Sequence, residues 1–426
     1  MPRRAFITVA EVSGDHHAAE LARALRQLDP SIILEGHGGS AMRAAGVIVH
    51  RETVQKASML LKAVVRAVEV WKLLKWTKAY FHKNKPDLHI CIDSSGMNLH
   101  FAKMARSVGV PVLYYIAPQL WASRAGRIKQ VRQYVDQVAC ILPFEEDYYR
   151  TRGVSATFVG HPLFDGLPTN RKMAGEIRTE DSGKQRTEDS GLRTEQNAPV
   201  ASSTLSPQSS VLSPDFPILS HMPFPVIGLM PGSRRGEIRA NWPHMLEVAD
   251  RIRAVFPHAI FEVPTTPPTH ALVKQMASGR PELRIEQGAI DAMAPRWDFC
   301  LAKSGTTTLH VAAYRVPMIV VYRLNPIAWH VVGRWIVKTP SIALVNILAE
   351  RSSPESGIPK RRIVPEICPW HGSNIPVAEL AIAFLRDPKK RREQRENLLK
   401  LVATLDHRGA SHRTAEIAMR MIATTP

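Results

Sequence analysis

The chain has 426 residues, 45% of them apolar, with 56 Lys and Arg against 38 Asp and Glu, a net charge of +18. That length supports two domains with full cores, and the lack of any apolar run of eighteen residues excludes a helical membrane span. The charge implies an anionic partner, either nucleic acid, a membrane surface or phosphorylated substrates; with aromatics at 7% and no zinc-finger, RNP-type or basic-region pattern, nucleic acid is not expected.

The opening "MPRRAFITVAEVSGD" reaches Glu11 too soon for a signal-peptide core. Strands are expected at Phe6 to Ala10, Leu88 to Ile92, Val112 to Ile116, Ala139 to Leu142 and Thr157 to Val159. Helical patterns separate them at Ala18 to Leu28, Phe101 to Val108, Arg124 to Tyr134 and Glu145 to Arg152. Such alternation implies a parallel sheet covered on both faces. Glu11, Ser13, Gly14 and Asp15 stand where the first strand ends, and Ser13 or Asp15 also suits a helix cap. Asp93, in "IDSSGMN", and His161, in "GHP", end two further strands. An imidazole there can meet a sugar hydroxyl or phosphate, or simply be packed.

Met59 to Tyr80 carries Leu61, Val64, Val65, Val68 and Trp71 on one stripe, with Lys62, Arg66, Lys72, Lys75 and Lys78 elsewhere. Core-facing helices and helices lying in a membrane interface share this pattern. Residues 170–222 hold "RTEDSG" twice and then a Ser/Pro-rich tract. They have too little apolar surface to offset chain entropy, so a disordered insertion is expected.

From residue 223 the alternation restarts, with strands at Val226 to Leu229, Ile260 to Val263, Leu283 to Glu286, Phe299 to Ala302 and Met318 to Val321. Helices are expected at Trp242 to Phe256, with Asn241 as cap and Pro243 in the first turn, at Thr269 to Ala277 and at Thr307 to Tyr314. "MPGSRRGEI", Met230 to Ile238, lies between the first of these strands and its helix. Gly232 permits close backbone approach, Ser233 adds a donor, and Arg234 or Arg235 can fork onto phosphate oxygens beside a helix start. An ordinary turn with solvated arginines is the alternative. Ser304, Gly305 and Thr306 form a second strand-to-helix turn, suited to a nucleotide or to a plain cap.

Val377 to Ala423 reads as two or three amphipathic helices that pack back across the junction, with "KKRREQR", Lys389 to Arg395, as a solvated face. The four cysteines, Cys91, Cys140, Cys300 and Cys368, have no paired spacing, which points to a reducing cytoplasm rather than a disulfide or zinc framework. The expected architecture is α/β, with two Rossmann-like doubly wound domains facing across a cleft. Their bounds are 1–169 and 223–375, with the insertion 170–222 between them and helices 376–426 across the junction. Ligands then sit at the carboxyl ends of the strands.

Several strings occur in a telling order: "AEVSGD", "HGGSAMRAAG", "YYIAPQLWA", "ILPFEEDYY", "FVGHPLFD", "MPGSRRGEI" and "KSGTTTLHVAAYRVPMIVVYR". As a set they resemble the lipid-A-disaccharide synthase family, glycosyltransferases of the two-domain GT-B type. The resemblance implies an inverting transfer from UDP-2,3-diacylglucosamine to 2,3-diacylglucosamine 1-phosphate, giving the disaccharide 1-phosphate and UDP without a cofactor or metal. It implies a cytoplasmic protein, peripheral on the inner membrane, and acylated substrates favour the interfacial reading of Met59 to Tyr80. A homodimer stays open.

By the same resemblance Gly232, Ser233 and Arg234 cradle the diphosphate. Ser304, Gly305, Thr306, His310 and Asn346 belong to the donor side, and Glu11, Ser13, Gly14, Asp15 and His161 to the acceptor side. Asp93 is the choice for general base, in a catalytic group with Arg234 and Glu11. Three positions depart from the family: Gly96 where many relatives have a second Asp, His310 where Glu is usual, and Pro369 where Gln is common. They keep two alternatives in view. One is another UDP-sugar GT-B enzyme, MurG-like or a 2-epimerase; the other is a catalytically silent lipid-binding homologue. An NAD-dependent oxidoreductase is disfavoured because "AEVSGD" lacks the G-x-G-x-x-G spacing.

Overall fold

The computed structural model describes residues 2–54, 63–123, 125–168, 224–323 and 339–424. The expected insertion, and residues 59–62 of the basic apolar segment, lie outside the described residues.

Two parallel sheets form the frame. The first holds β1 (Arg4–Thr8), β2 (Ile33–Gly38), β3 (Ile48–Glu52), β4 (Leu88–Ile92), β5 (Val112–Tyr115), β6 (Gln137–Cys140) and β7 (Ala156–Phe158) in the order β3-β2-β1-β4-β5-β6-β7. The second holds β8 (Val226–Met230), β9 (Ile260–Thr265), β10 (Leu283–Gln287), β11 (Phe299–Lys303), β12 (Met318–Arg323) and β13 (Glu366–Trp370) in the order β10-β9-β8-β11-β12-β13. Counted from its own first strand, each sheet follows the 3-2-1-4-5-6 order of a dinucleotide-binding fold, with the strand order reversing between its first and fourth strands. Central strands such as β4 are buried at every position, because helices cover both faces; this is why they read as unbroken apolar runs.

Three strands were not expected from the sequence: β2, β3 and β13. In β2 the apolar signal is broken by Glu35 and His37, yet both are buried, Glu35 paired with Arg4 and His50. β3 is an edge strand with three charged or imidazole side chains among five residues. β13 carries Pro369, which an edge strand tolerates because it owes no ladder N–H on its outer side.

In the first half the helices are α1 (Val12–Leu28), α2 (Ser40–Ala44), α3 (Ala63–Lys83), α4 (Ser95–Ser107), α5 (Ile128–Tyr134), α6 (Pro143–Arg150) and α7 (Leu163–Gly166). In the second they are α8 (Arg235–Val255), α9 (Pro267–Met276), α10 (Ile290–Met293), α11 (Thr307–Ala313), α12 (Leu344–Glu350), α13 (Ile375–Arg386), α14 (Pro388–Ala403) and α15 (Ala410–Ala423). Among the described residues no helix is long and apolar enough to cross a membrane.

The chain ends by returning to the first sheet, where α15 packs along α1. The Asp165 carboxylate accepts the first N–H groups of α15 from Gly409, Ala410 and Ser411 at 2.7, 3.2 and 3.1 Å, cancelling orphan donors and the positive end of the dipole. The α14 run Lys389 to Arg395 is not wholly solvated: Arg391 is buried and donates to the Phe384 carbonyl at 2.8 Å.

Candidate active site

The reversal points of the two sheets place four chain segments together. In the first sheet β1 leads into Glu11, the N-cap residue of α1, and β4 leads into Asp93. In the second, β8 leads into Gly232 to Arg234 and β11 into Ser304 to Thr306. Arg234 Nη2 donates to Glu11 Oε2 at 2.9 Å, so the loop of one sheet reaches the helix start of the other.

Asp93 and Ser94 both have left-handed backbone, φ 52° and 49°, a conformation that costs non-glycine residues free energy and is kept only where neighbours enforce it. The enforcement is visible. Asn98, fully buried, donates through Nδ2 to the Asp93 carbonyl at 2.9 Å and to the Ile92 carbonyl at 2.8 Å. Tyr114 donates its hydroxyl to the same Asp93 carbonyl at 2.7 Å, and Thr8 holds Asn98 Oδ1 at 2.8 Å. Burial pushes the Asp93 carboxyl up and the Glu11 charge adds to this, while the Ser94 N–H and Arg234 pull the other way; the net direction is up. A carboxylate whose pKa is raised is a better proton acceptor.

On the facing lobe α8 begins at Arg235, six residues before the expected cap Asn241, and Pro243 lies inside it. Asn241 is a tie rather than a cap: its Nδ2 donates to the Glu237 carbonyl at 2.8 Å and its Oδ1 accepts the Arg323 N–H at 2.9 Å. The early start puts Glu237 in the first turn, where its carboxylate accepts the N–H groups of Ser233 and Arg234 at 3.1 and 3.4 Å and the Lys303 ammonium at 2.9 Å. Burial would raise the Glu237 carboxyl, but Lys303 and the Ser233 N–H hold it below the usual range. Gly232 has φ 126°, and a Cβ there would meet Glu237 at 2.7 to 2.8 Å, so only glycine lets this carboxylate sit against the loop. Two amides expected to cradle a ligand anion therefore already hold an internal one. The Ser233, Arg234 and Arg235 side chains are exposed, and the Arg234 guanidinium is shared between Glu11 at 2.9 Å and Glu237 at 3.5 Å.

Several expected site residues lie elsewhere. Asp15 is inside α1 and buried, its carboxylate accepting from Gly39, Ala41 and Met42 N–H at 2.8, 2.9 and 3.2 Å; it caps α2 and has no face left for an acceptor. Gly14 is buried beside it and Ser13 is exposed on the first turn of α1. Asn346 is fully buried in α12, accepting the N–H groups of Ile363 and Val364 and donating to the Val364 carbonyl and Glu366, each at 3.0 Å. All of its polar capacity is used inside the lobe, so it does not reach a donor. His161 is buried, its Nδ1 accepting the Leu163 N–H at 3.2 Å; burial and then His17 lower it to about 3, so it stays neutral.

Ser304 is buried and donates to the Ile342 carbonyl at 3.2 Å, while Gly305 has φ 147° and Thr306 is exposed at the start of α11. His310 pairs through Nε2 with Asp291 at 2.6 Å, and Tyr314 donates to the same carboxylate at 2.8 Å. The position of Gly96 is open, since a Cβ there meets nothing within 4 Å. Asn98, Glu237 and Lys303 were not singled out from the sequence. Glu237 carried a usable signal, an acidic residue three positions after a helix N-cap, hidden by placing the helix start too late.

A family profile described as "Lipid-A-disaccharide synthetase" matches residues 5–184 and 220–409. A lipid-A-disaccharide synthase of Myxococcus xanthus is 31% identical over 425 residues, 99% of this chain and 98% of the relative. That of Geobacter metallireducens is 32% identical over 429 residues, covering 99% and 97%. Among solved structures, the S. aureus MnaA-UDP co-structure aligns over 100% of this chain and 99% of that one at TM-score 0.57 and 13% identity. The glycotransferase of kitacinnamycin aligns over 99% and 100% at TM-score 0.58, also 13% identical. At that identity the two structures speak for the two-lobed Rossmann-like fold.

Proposed function

The chain belongs to the lipid-A-disaccharide synthase family of glycosyltransferases, and from that premise we propose that it joins UDP-2,3-diacylglucosamine to 2,3-diacylglucosamine 1-phosphate, with inversion and release of UDP. The observation that carries the reading is the pairing of Arg234 with Glu11 beside a carboxyl of raised pKa, Asp93.

In this reading the Arg234 guanidinium, with the Ser233 hydroxyl and the Gly232 turn, receives the diphosphate. A leaving diphosphate gathers charge as the sugar bond breaks, and a guanidinium fixed in advance stabilises that charge without reorganising. Glu11 holds Arg234 in position until the anion arrives, then yields to it. Asp93 takes the proton from the acceptor hydroxyl as that oxygen attacks the sugar carbon from the face opposite UDP. The turn Ser304 to Thr306 borders the nucleotide, with His310 held by Asp291 one helical turn beyond.

Both substrates carry acyl chains, and α3 offers a way to meet the bilayer that contains them. Val68 and Trp71 are 46% and 59% exposed, and Lys72, Lys75 and Lys78 are exposed around them, an apolar strip edged by cations that suits an anionic headgroup layer. The opposite side of α3 packs on the first sheet, where buried Thr77 bonds His37 at 2.8 Å. The protein is thus read as peripheral on the cytoplasmic face of the inner membrane, with residues 1–169 as acceptor domain and 223–375 as donor domain. Incubating the purified chain with both acylated sugars and analysing the lipids by mass spectrometry tests the reading. The disaccharide 1-phosphate is expected; UDP binding without product would favour the silent homologue.

A further inference from the structure

Beside the strained turn at Asp93, α4 and the segment leading through α5 border an open pocket of about 180 Å³ that the transfer chemistry above does not use. Gly96, Leu99, His100 and Lys103 recur at helical spacing along one face of α4 and line it from one side. Arg127 and Tyr134 close the other side. It is several times the roughly 30 Å³ share of one water, and among the described residues no carboxylate lines it.

Its polar groups are left waiting for an anion. Arg127 Nη1, on a residue that lines the cavity, is buried without a hydrogen-bond partner among the described residues, and so is the Ser94 hydroxyl one residue before the lining residue Ser95. Burying such groups unpaired is costly unless a ligand completes them. Lys103 is exposed, its ammonium 5.9 Å from the Tyr134 ring centre and in no ion pair among the described residues. The α4 helix starts at Ser95, so its first N–H groups and the positive end of its dipole add to the same field. Two cations, an imidazole and a helix start thus surround one opening, and the missing side chain at Gly96 keeps it unobstructed.

We propose that this cavity binds the phosphate monoester of the acceptor sugar, with Arg127 and Lys103 as its ligands. The inference rests on the transfer reading above and deepens it. Gly96 follows Asp93 by three residues, just past the left-handed turn at Asp93 and Ser94 from which α4 starts. The acceptor's attacking hydroxyl, on the exocyclic C6, and its phosphate, on C1, belong to one sugar, so a phosphate seated here directs that hydroxyl toward Asp93. The cavity is then a specificity site that distinguishes a sugar 1-phosphate from the same lipid with a free hydroxyl.

The test uses the full chain, with two acceptors: diacylglucosamine 1-phosphate and its phosphate-free counterpart. Lys103→Ala and Arg127→Ala are each expected to raise the KM for the phosphorylated acceptor about tenfold to a hundredfold, the usual range for a lost charge-assisted contact. UDP affinity stays unchanged. On the phosphate-free acceptor the wild type shows a similar loss, and neither substitution adds to it. Equal losses on both acceptors, or none, overturn the proposal. Lys103 is exposed, so its variant carries the test should Arg127→Ala fail to fold. Direct titration of the phosphorylated acceptor separates the two readings. Binding weakened by Lys103→Ala without any turnover in the wild type upholds the cavity and refutes the transfer; turnover indifferent to the phosphate refutes the cavity alone.

Discussion

Arg234 and Glu11 stand 223 positions apart and meet at 2.9 Å, joining the loop after β8 to the start of α1. The pair is exposed, with side-chain accessibilities of 68% and 41%, so solvent screens it and it adds at most about 1 kcal/mol to stability. Its value is positional. Arg234→Ala is expected to lower kcat about a hundredfold to a thousandfold, the loss seen when one fixed donor to a developing charge is removed, with little change in the unfolding midpoint. Glu11→Gln should cost much less, because the guanidinium survives. Equal rates for Arg234→Ala and wild type in a steady-state assay would remove the arginine from the reaction.

Glu237 carries a structural load that the exposed pair does not. Its side chain is 11% exposed and satisfies two loop amides and Lys303, itself 14% exposed. Glu237→Ala leaves that ammonium unpaired, and a destabilisation of about 1–3 kcal/mol is expected in denaturant titration, together with weaker UDP binding as the loop loosens. An unchanged midpoint would contradict this.

Among the described residues His37, His89 and His161 are buried as neutral groups, each lowered to about 3, chiefly by burial. Their unfolded value is near 6.5, so between about 6.5 and 3 the unfolded chain binds the extra protons and stability falls as the pH falls. Each group contributes a slope of about 1.4 kcal/mol per pH unit in that window. Thermal unfolding at pH 7.5 and 5.0 checks it: a marked drop is expected, and replacing His89 by Gln should flatten the dependence. A midpoint constant across that range would show that these rings are not held neutral.

Asn346→Ala separates structure from donor binding. Removing its amide strands the buried N–H groups of Ile363 and Val364, so a loss of about 2–4 kcal/mol of stability is expected, with UDP affinity of the folded fraction unchanged. Reduced affinity at full folding would return Asn346 to the site.

Much of the frame is legible in the chain because buried parallel strands are written as apolar runs; β1, β4, β5, β8 and β11 announce themselves in that way. β2 does not, since Glu35 and His37 are buried through pairing with Arg4, His50 and Thr77, partners 31, 15 and 40 residues away that no local pattern reveals. The site shows the same division. Glu11, Asp93 and Arg234 stand just past strand ends, where the sequence places them. Asp15 and Asn346 occur in equally suggestive strings yet serve as internal caps and ties, because a motif fixes which residues recur and not which way each side chain turns. Asn98 and Tyr114, which enforce the Asp93 turn, were hidden because their target is a backbone carbonyl.

The most direct measurement is the transfer rate of Asp93→Asn, made beside UDP binding on the same sample. Asparagine preserves size and cannot accept the proton, so a fall of about a hundredfold to ten-thousandfold in kcat with UDP affinity retained is expected, and the acidic limb of the wild-type pH–rate profile should lie above the ordinary aspartate range because burial raises this carboxyl. A rate close to wild type would contradict the account.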